Sequence, residues 1–89
     1  MIIENIQKLC TDRKIRWSAH SLARIQERGL NRNDVIDCIL SGEIIEDYPE
    51  DSPHPSCLIL GYADSSKAVH SVVGTDGEYI YIITAYIPN

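Results

Sequence analysis

The chain has 89 residues, of which 44% are hydrophobic and 24% charged, and its formal net charge is −5. This length and composition fit one globular domain over residues 1–89 and leave little room for a deep internal cavity. No run of about 18 apolar residues is available to span a membrane, and the first residues lack the basic start of a signal peptide. Three widely spaced cysteines, an odd number, favour a reduced protein in the cytoplasm.

The charges are unevenly distributed along the chain. Residues 13–32 contain six basic side chains and one acid, whereas residues 43–51 contain five acids and no base. A basic segment of this kind can bind an anion although the total charge is negative. Alternatively, the two segments face each other within one chain or across a homodimer.

Three helices are predicted in the first half of the chain. The first covers residues 2–13, where apolar side chains recur with helical spacing. The second runs from Ala19 to Arg28, with Ser18 as its N-cap and Gly29 as the residue that ends it. The third follows the capping residue Asn31. Its predicted buried stripe consists of Val35, Ile36, Ile39 and Leu40.

Four strands are predicted to follow the helices. Residues 43–48 and 56–62 have strand character, and a loop rich in proline separates them. Residues 67–74 and 78–87 flank an Asp-Gly pair at 76–77, which is typical of a two-residue hairpin turn. The expected fold is therefore α+β, with two to three N-terminal helices packed on a four-stranded, mainly antiparallel sheet.

The two-residue turn predicts which side chains share a face of the sheet. It places His70 opposite Ile83 and puts Thr84 and Tyr86 on the other face. A single site that contains His70, Thr84 and Tyr86 then needs a β-bulge or a meeting at the sheet edge. The more aliphatic face, which we expect the helices to cover, consists of Val69, Ser71, Val73, Ile80, Ile82, Thr84 and Tyr86.

The second helix carries the first candidate site, in the segment WSAHSLARIQERG. His20, Arg24 and Arg28 are four residues apart and lie on one side, opposite the apolar side. Arginine offers a planar fork of donors to phosphate oxygens, and histidine readily exchanges protons near neutral pH. The alternative is an ordinary solvated surface, on which Glu27 pairs with neighbouring bases.

A second candidate is His70, which interrupts the apolar strand AVHSVV. It is either a histidine bonded to a tyrosine or to backbone, or a proton-transfer group that faces the helix. The hydroxyls of Thr84 and Tyr86 could orient a ligand. The HPSC segment at 54–57 has no second ligand pair, so we expect no metal or other cofactor, and we expect His54 to be incidental.

Several segments together resemble a family of short prokaryotic proteins that is described only as a domain of unknown function. These segments are SAHSLARIQERGL, DVIDCILSGEIIEDYPED, PSCLILGY, VHSVVG and IITAYIPN, in the order of the family pattern. The resemblance covers residues 15–89 and leaves out the first helix. Five motifs in one order are more specific than any one of them.

In element order and size, that family resembles the RelE-like and MqsR-like toxins of the BECR ribonuclease superfamily. The resemblance implies a RelE-like fold and cleavage of RNA, free or ribosome-associated, without a metal. It also implies a cognate antitoxin as partner, of the zinc-finger type encoded beside such proteins. By position, the catalytic residues would be His20, Arg24, His70 and Tyr86, and the phosphate-binding residues Arg16, Arg28 and Thr84.

In the implied reaction a ribose 2′-hydroxyl attacks the neighbouring phosphate, with His20 and His70 as the proton-transfer groups and Arg24 as the phosphate clamp. Two other functions compete with this one. The first is a non-catalytic binding module that docks on a protein partner, for example by strand addition to the final strand. The second is a homodimer whose basic segment meets the acidic segment of its twin.

Overall fold

The computed structural model describes residues 1–64 and 66–89. None of the helices it describes has the length and apolar character needed to cross a bilayer. The elements, in chain order, are α1 (Ile3–Thr11), β1 (Ile15–Arg16), α2 (Ala19–Glu27), α3 (Arg32–Ser41), β2 (Glu43–Tyr48), β3 (Ser56–Ala63), β4 (Lys67–Thr75) and β5 (Ile80–Tyr86).

The predicted starts of α2 and α3 are confirmed, and α2 ends at Glu27, one residue before the predicted Arg28. The Ser18 hydroxyl accepts the backbone N–H of Ser21, and the Ser21 hydroxyl accepts that of Ser18 in return. Asn31 and Asp34 form the same reciprocal cap on α3. Gly29 follows α2 with φ +77°, a conformation that glycine adopts without strain. Local side-chain chemistry therefore sets where both helices begin.

The buried side of α3 differs from the prediction. Val35, Cys38 and Ile39 are fully buried, whereas Leu40 is 45% exposed. The physical reason is a close approach of α3 to β3, because a Cβ on Gly61 would lie only 1.9 Å from the carbonyl oxygen of Cys38. α3 therefore contacts β3 through Cys38. The side chain of Leu40, two residues later, points toward solvent.

The sheet has five described strands in the order β1-β5-β4-β3-β2. β1 pairs with β5 in parallel, and the other three pairings are antiparallel. The prediction of a four-stranded sheet is therefore wrong, and the sheet is mixed. The strand that was missed, β1, consists of Ile15 and Arg16 alone, which is too short to show an alternating pattern.

All three helices pack on one face of the sheet, the covered face, where they share a single core with the strands. The opposite face, which we call the open face, carries the strand side chains that alternate with those of the covered face. The buried side chains on the covered face are those of Cys57, Ile59, Ala63, Val69, Ser71, Val73, Ile80, Ile82 and Ala85.

The hairpin between β4 and β5 is longer than predicted. Thr75 pairs with Ile80, so that four residues rather than two connect the strands. The loop is held by Asp76, whose carboxylate accepts the backbone N–H groups of Glu78 and Tyr79. These bonds satisfy two donors that a two-residue turn would have placed in the strand. The register shifts by two residues, which leaves the faces unchanged near the turn.

A β-bulge farther along the same strand pair reverses the faces. The register shifts between Val72 and Val73, because Val73 pairs with Ile82 whereas Val72 pairs with Thr84. His70 then pairs with Tyr86. The prediction that Thr84 and Tyr86 lie on the covered face is therefore wrong: the extra residue in β5 turns both side chains to the open face.

Candidate functional site

Four side chains from the end of α2 and from β4 and β5 meet at the open face, and we call them the Arg28 cluster. The Arg28 Nη1 atom donates to the Thr84 hydroxyl at 2.6 Å. The guanidinium carbon of Arg28 lies 6.0 Å from the centroid of the Tyr86 ring. The Tyr86 and His70 rings meet edge to face with centroids 5.4 Å apart. The members of the cluster are Arg28, His70, Thr84 and Tyr86.

The fold brings Arg28 to this position through an incomplete strand pairing. β1 pairs only with Ile80 and Tyr81, so the later residues of β5 have no strand on that side among the described elements. Arg28 caps the C-terminal end of α2 and donates to the Ala85 carbonyl at 3.2 Å. The guanidinium of Arg28 thus occupies the edge of β5 at a point where a longer β1 could have paired.

Arg28 keeps donors available for an anion. Both of its hydrogen bonds to described residues use Nη1, whereas an arginine has five N–H donors. Across the described chain, no carboxylate lies within ion-pair distance of any basic residue in 13–32. The alternative, in which Glu27 pairs with its basic neighbours, is not what the described residues show. The basic side of α2 is not neutralised by the protein's own acids.

The two oppositely charged segments lie at opposite edges of the molecule. The basic segment 13–32 includes β1, at one end of the strand order, and the acidic segment 43–51 includes β2, at the other end. The alternative in which they face each other within one chain is therefore wrong. This separation leaves a positive region beside the Arg28 cluster.

His20 and Arg24 lie apart from the Arg28 cluster. Both are exposed on α2, and neither makes a side-chain hydrogen bond or a ring contact with another described residue. From the helix rise of 1.5 Å per residue, Arg24 is about 6 Å and His20 about 12 Å from Arg28 along the axis. Of the predicted helical stripe, the structure brings only its last member into contact with the sheet.

A second group of aromatic and basic residues lies at the other end of β5. The His54 and Tyr81 rings stack with centroids 4.9 Å apart and planes 17° from parallel. The guanidinium carbon of Arg16 lies 4.1 Å from the centroid of Tyr79. Arg16 is therefore not in the Arg28 cluster, and His54, which we expected to be incidental, contacts Tyr81. The loop before β3 hid this contact, because no local pattern links it to Tyr81.

These rings border a cavity of about 240 Å³, which we call the Tyr81 cleft. The Tyr81 hydroxyl donates to the Asp76 carboxylate at 2.6 Å, and this bond raises the pKa of Tyr81. The same bond, together with two backbone N–H groups, lowers the pKa of Asp76 to about 2. Residues that line the cleft include Asp51, Pro53, His54, Gly74, Tyr81 and Ile83.

All three cysteines are free, and all three are buried. Burial raises the pKa of Cys10 and of Cys57 to about 11, so both thiols stay protonated at neutral pH. Cys57 lies on the covered face, whereas His54 stacks on the open face, and the HxxC pair does not converge on one point. Within the residues described, no three His, Cys, Asp or Glu side chains are grouped to hold a metal.

The family model described as Domain of unknown function (DUF4258) matches residues 17–87. The chain belongs to this family. The DUF4258 region contains every residue of the Arg28 cluster and the lining residues named for the Tyr81 cleft, and it leaves out α1 and β1, the latter including Arg16. The predicted membership in a family of unknown function is confirmed. No curated protein and no solved structure matches the chain.

Proposed function

We propose that this DUF4258 protein is a metal-independent endoribonuclease of the cytoplasm, and that the Arg28 cluster is its reaction centre. The observation that carries the proposal is the β-bulge between Val72 and Val73. It moves Thr84 and Tyr86 beside His70 and within reach of Arg28, which removes the main obstacle to a single site. The result is a cation and two proton-carrying groups on a half-buried, accessible face.

In the proposed reaction the ribose 2′-oxygen forms a bond to the adjacent phosphorus while the bond from phosphorus to the 5′-oxygen breaks. His70 takes the 2′-hydroxyl proton, and the Tyr86 hydroxyl protonates the leaving 5′-oxygen. The proton then passes from His70 to the Tyr86 oxygen, which regenerates both groups. The products are a 2′,3′-cyclic phosphate and a 5′-hydroxyl end.

Arg28 supplies the electrostatic part of this mechanism. Its unused N–H groups bind the phosphate oxygens and stabilise the charge that develops on them. Thr84 is a positioning residue, because its hydroxyl holds the guanidinium from the sheet side at 2.6 Å. Arg24, one helical turn away, adds positive charge along the path of the RNA. This assignment gives Arg28 the role of phosphate clamp, which the resemblance had given to Arg24.

The toxin role is the further part of the proposal. Apart from the two-residue β1, the helices precede the strands of the sheet, which is the element order that the resemblance to RelE-like and MqsR-like toxins implies. We propose that the partner is a co-encoded antitoxin, of the zinc-finger type, that inhibits cleavage by covering the basic side of α2. Acidic side chains on that antitoxin would complement the unpaired bases of residues 13–32.

The test is cleavage of single-stranded RNA by purified protein in EDTA, with the product ends identified by mass spectrometry. We expect cyclic phosphate ends, and we expect His70→Ala to lower the rate by about 100-fold or more. His20→Ala is the matched control and should stay within about threefold of the wild type, as expected for a surface change. Equal rates for the wild type and His70→Ala, or loss of activity in His20→Ala, would contradict the proposal.

A second candidate function, a protein-binding module, is favoured by the free edge of β2. This strand ends the sheet, so the backbone groups along its outer side are open to a strand from a partner. β5, which had been predicted to accept such a strand, is paired on that side with β1 at Ile80 and Tyr81, and Arg28 donates to its Ala85 carbonyl. A partner bound at β2 would be lost in Ile45→Pro while RNA cleavage continued, whereas an inactive protein that binds a partner tightly would favour this function alone.

A further inference from the structure

We propose that the Tyr81 cleft binds one unpaired base of the same RNA whose phosphate lies at the Arg28 cluster. This inference rests on the proposed function and names its substrate more closely, as single-stranded RNA read by stacking. It assigns a binding role to His54, Tyr81 and Gly74.

The position of the cleft supports this assignment. Tyr81 and Thr84 belong to the same strand and the same face, about 10 Å apart at the usual rise per residue. Arg28 lies at one end of this path, and Arg16 lies at the other, beside the cleft. A nucleic acid strand that follows β5 therefore has a cation near each end and an aromatic cleft between them.

The chemistry of the cleft suits a base better than a phosphate. The stacked rings of His54 and Tyr81 present an aromatic surface, and bases stack on such surfaces whatever their sequence. No lysine or arginine lines the cleft in the described chain, whereas the Asp51 carboxylate does. One oxygen of Asp51 accepts the Ser56 hydroxyl, and the other can accept the exocyclic amine of a base.

Gly74 gives the cleft part of its depth. A Cβ built at this position would come no closer than 3.4 Å to the Pro55 carbonyl oxygen and 3.6 Å to Ile83. The folded protein can therefore accept alanine there, although the added methyl group would occupy space on the open face. Gly74→Ala is thus a probe that narrows the cleft without removing an aromatic ring.

The experiment measures the Kd of a 2′-O-methylated single-stranded RNA, which lacks the attacking hydroxyl, by fluorescence anisotropy in EDTA. We expect Tyr81→Ala and Gly74→Ala each to weaken binding about tenfold. Tyr81→Phe keeps the ring and should restore binding to within about twofold of the wild type. Tyr62→Ala removes a tyrosine that is 45% exposed and does not line the cleft, and it should have no effect.

The same probe annealed to its complement should bind about tenfold more weakly, because a paired base cannot enter the cleft. Equal binding of the wild type, Tyr81→Ala and Gly74→Ala would overturn the inference, as would equal binding of single and double strands or no RNA binding at all. If Tyr81→Ala loses RNA binding but the wild type does not cleave RNA, the base-binding site is supported and the proposed nuclease activity is rejected. Cleavage that depends on His70 but not on Tyr81 would reject the base site alone.

Discussion

The covered and open faces of the sheet consist of alternating residues of the same strands, yet their contents differ in kind. The covered face holds aliphatic side chains together with Cys57 and Ser71, all of them buried under the helices. The open face holds His70, Tyr81 and Tyr86 beside aliphatic side chains such as Leu58 and Val72. The ring of His54, from the loop before β3, stacks on Tyr81, and His70 meets Tyr86 edge to face. One face serves the packing of the core, and the other keeps polar groups accessible to a ligand.

The difference comes from how each face meets α2 and α3. α3 contacts the covered face so closely that backbone meets backbone at Gly61. On the open face, the end of the Arg28 side chain reaches in from the end of α2. Substitutions on the covered face should therefore change mainly the stability of the protein. Substitutions on the open face should change mainly RNA binding and the rate of cleavage.

The largest effect on stability is expected at Gly61. Gly61→Ala places a methyl group against the Cys38 carbonyl, which the backbone cannot avoid, and should lower the free energy of unfolding by about 3 kcal/mol. Gly74→Ala is the matched change on the open face and should stay within about 0.5 kcal/mol of the wild type. Urea denaturation followed by circular dichroism measures both. Equal losses of unfolding free energy in the two variants would contradict the proposed difference between the faces.

A smaller effect is expected for RNA affinity when two arginines of α2 are compared. Arg28→Ala should weaken binding of single-stranded RNA about tenfold, because it removes a donor that the sheet holds in place. It should also reduce the slope of log affinity against log salt by about 0.7. Arg24→Ala should change affinity by no more than about threefold, as expected for an exposed charge. A larger loss of affinity in Arg24→Ala than in Arg28→Ala would mean that the phosphate binds on the helix and not at the sheet.

The smallest effect is expected from the pH dependence of the hairpin loop. The pKa of Asp76 is lowered to about 2 by the Tyr81 hydroxyl and two backbone N–H groups. Its contribution to stability is therefore present above the ordinary aspartate pKa of 3.8 and is lost as the pH falls toward 2. Urea midpoints between pH 6 and pH 2 should fall less steeply for Asp76→Asn than for the wild type. Parallel curves would show that the loop does not depend on the carboxylate.

The sequence was sufficient for features that depend on neighbouring residues. The caps at Ser18 and Asn31 and the glycine after α2 could be read directly, because their hydrogen bonds span three residues. The strands of the second half could be placed because each is a local run of residues with strand character, bounded by turn residues. β1 could not be found, since two residues form a strand only because β5 lies beside them.

The candidate site shows the same limit more sharply. Histidine, threonine and tyrosine could be named from their chemistry, but the faces of Thr84 and Tyr86 depended on the β-bulge opposite Val72 and Val73. The choice between Arg24 and Arg28 depended on where the end of α2 meets β5, which no local pattern encodes. The contact of His54 with Tyr81 joins a loop to a distant strand, and for that reason no pattern in the sequence indicated it.

The most direct test of the account is an NMR titration of the labelled protein with 2′-O-methylated single-stranded RNA. We expect the largest shift changes at the backbone amides of His70, Thr84 and Tyr86 and at the Arg28 side chain. The amides around His20 and those of β2, residues 43–48, should change little. Shift changes confined to the first turn of α2 or to β2 would contradict the assignment of the RNA site to the open face.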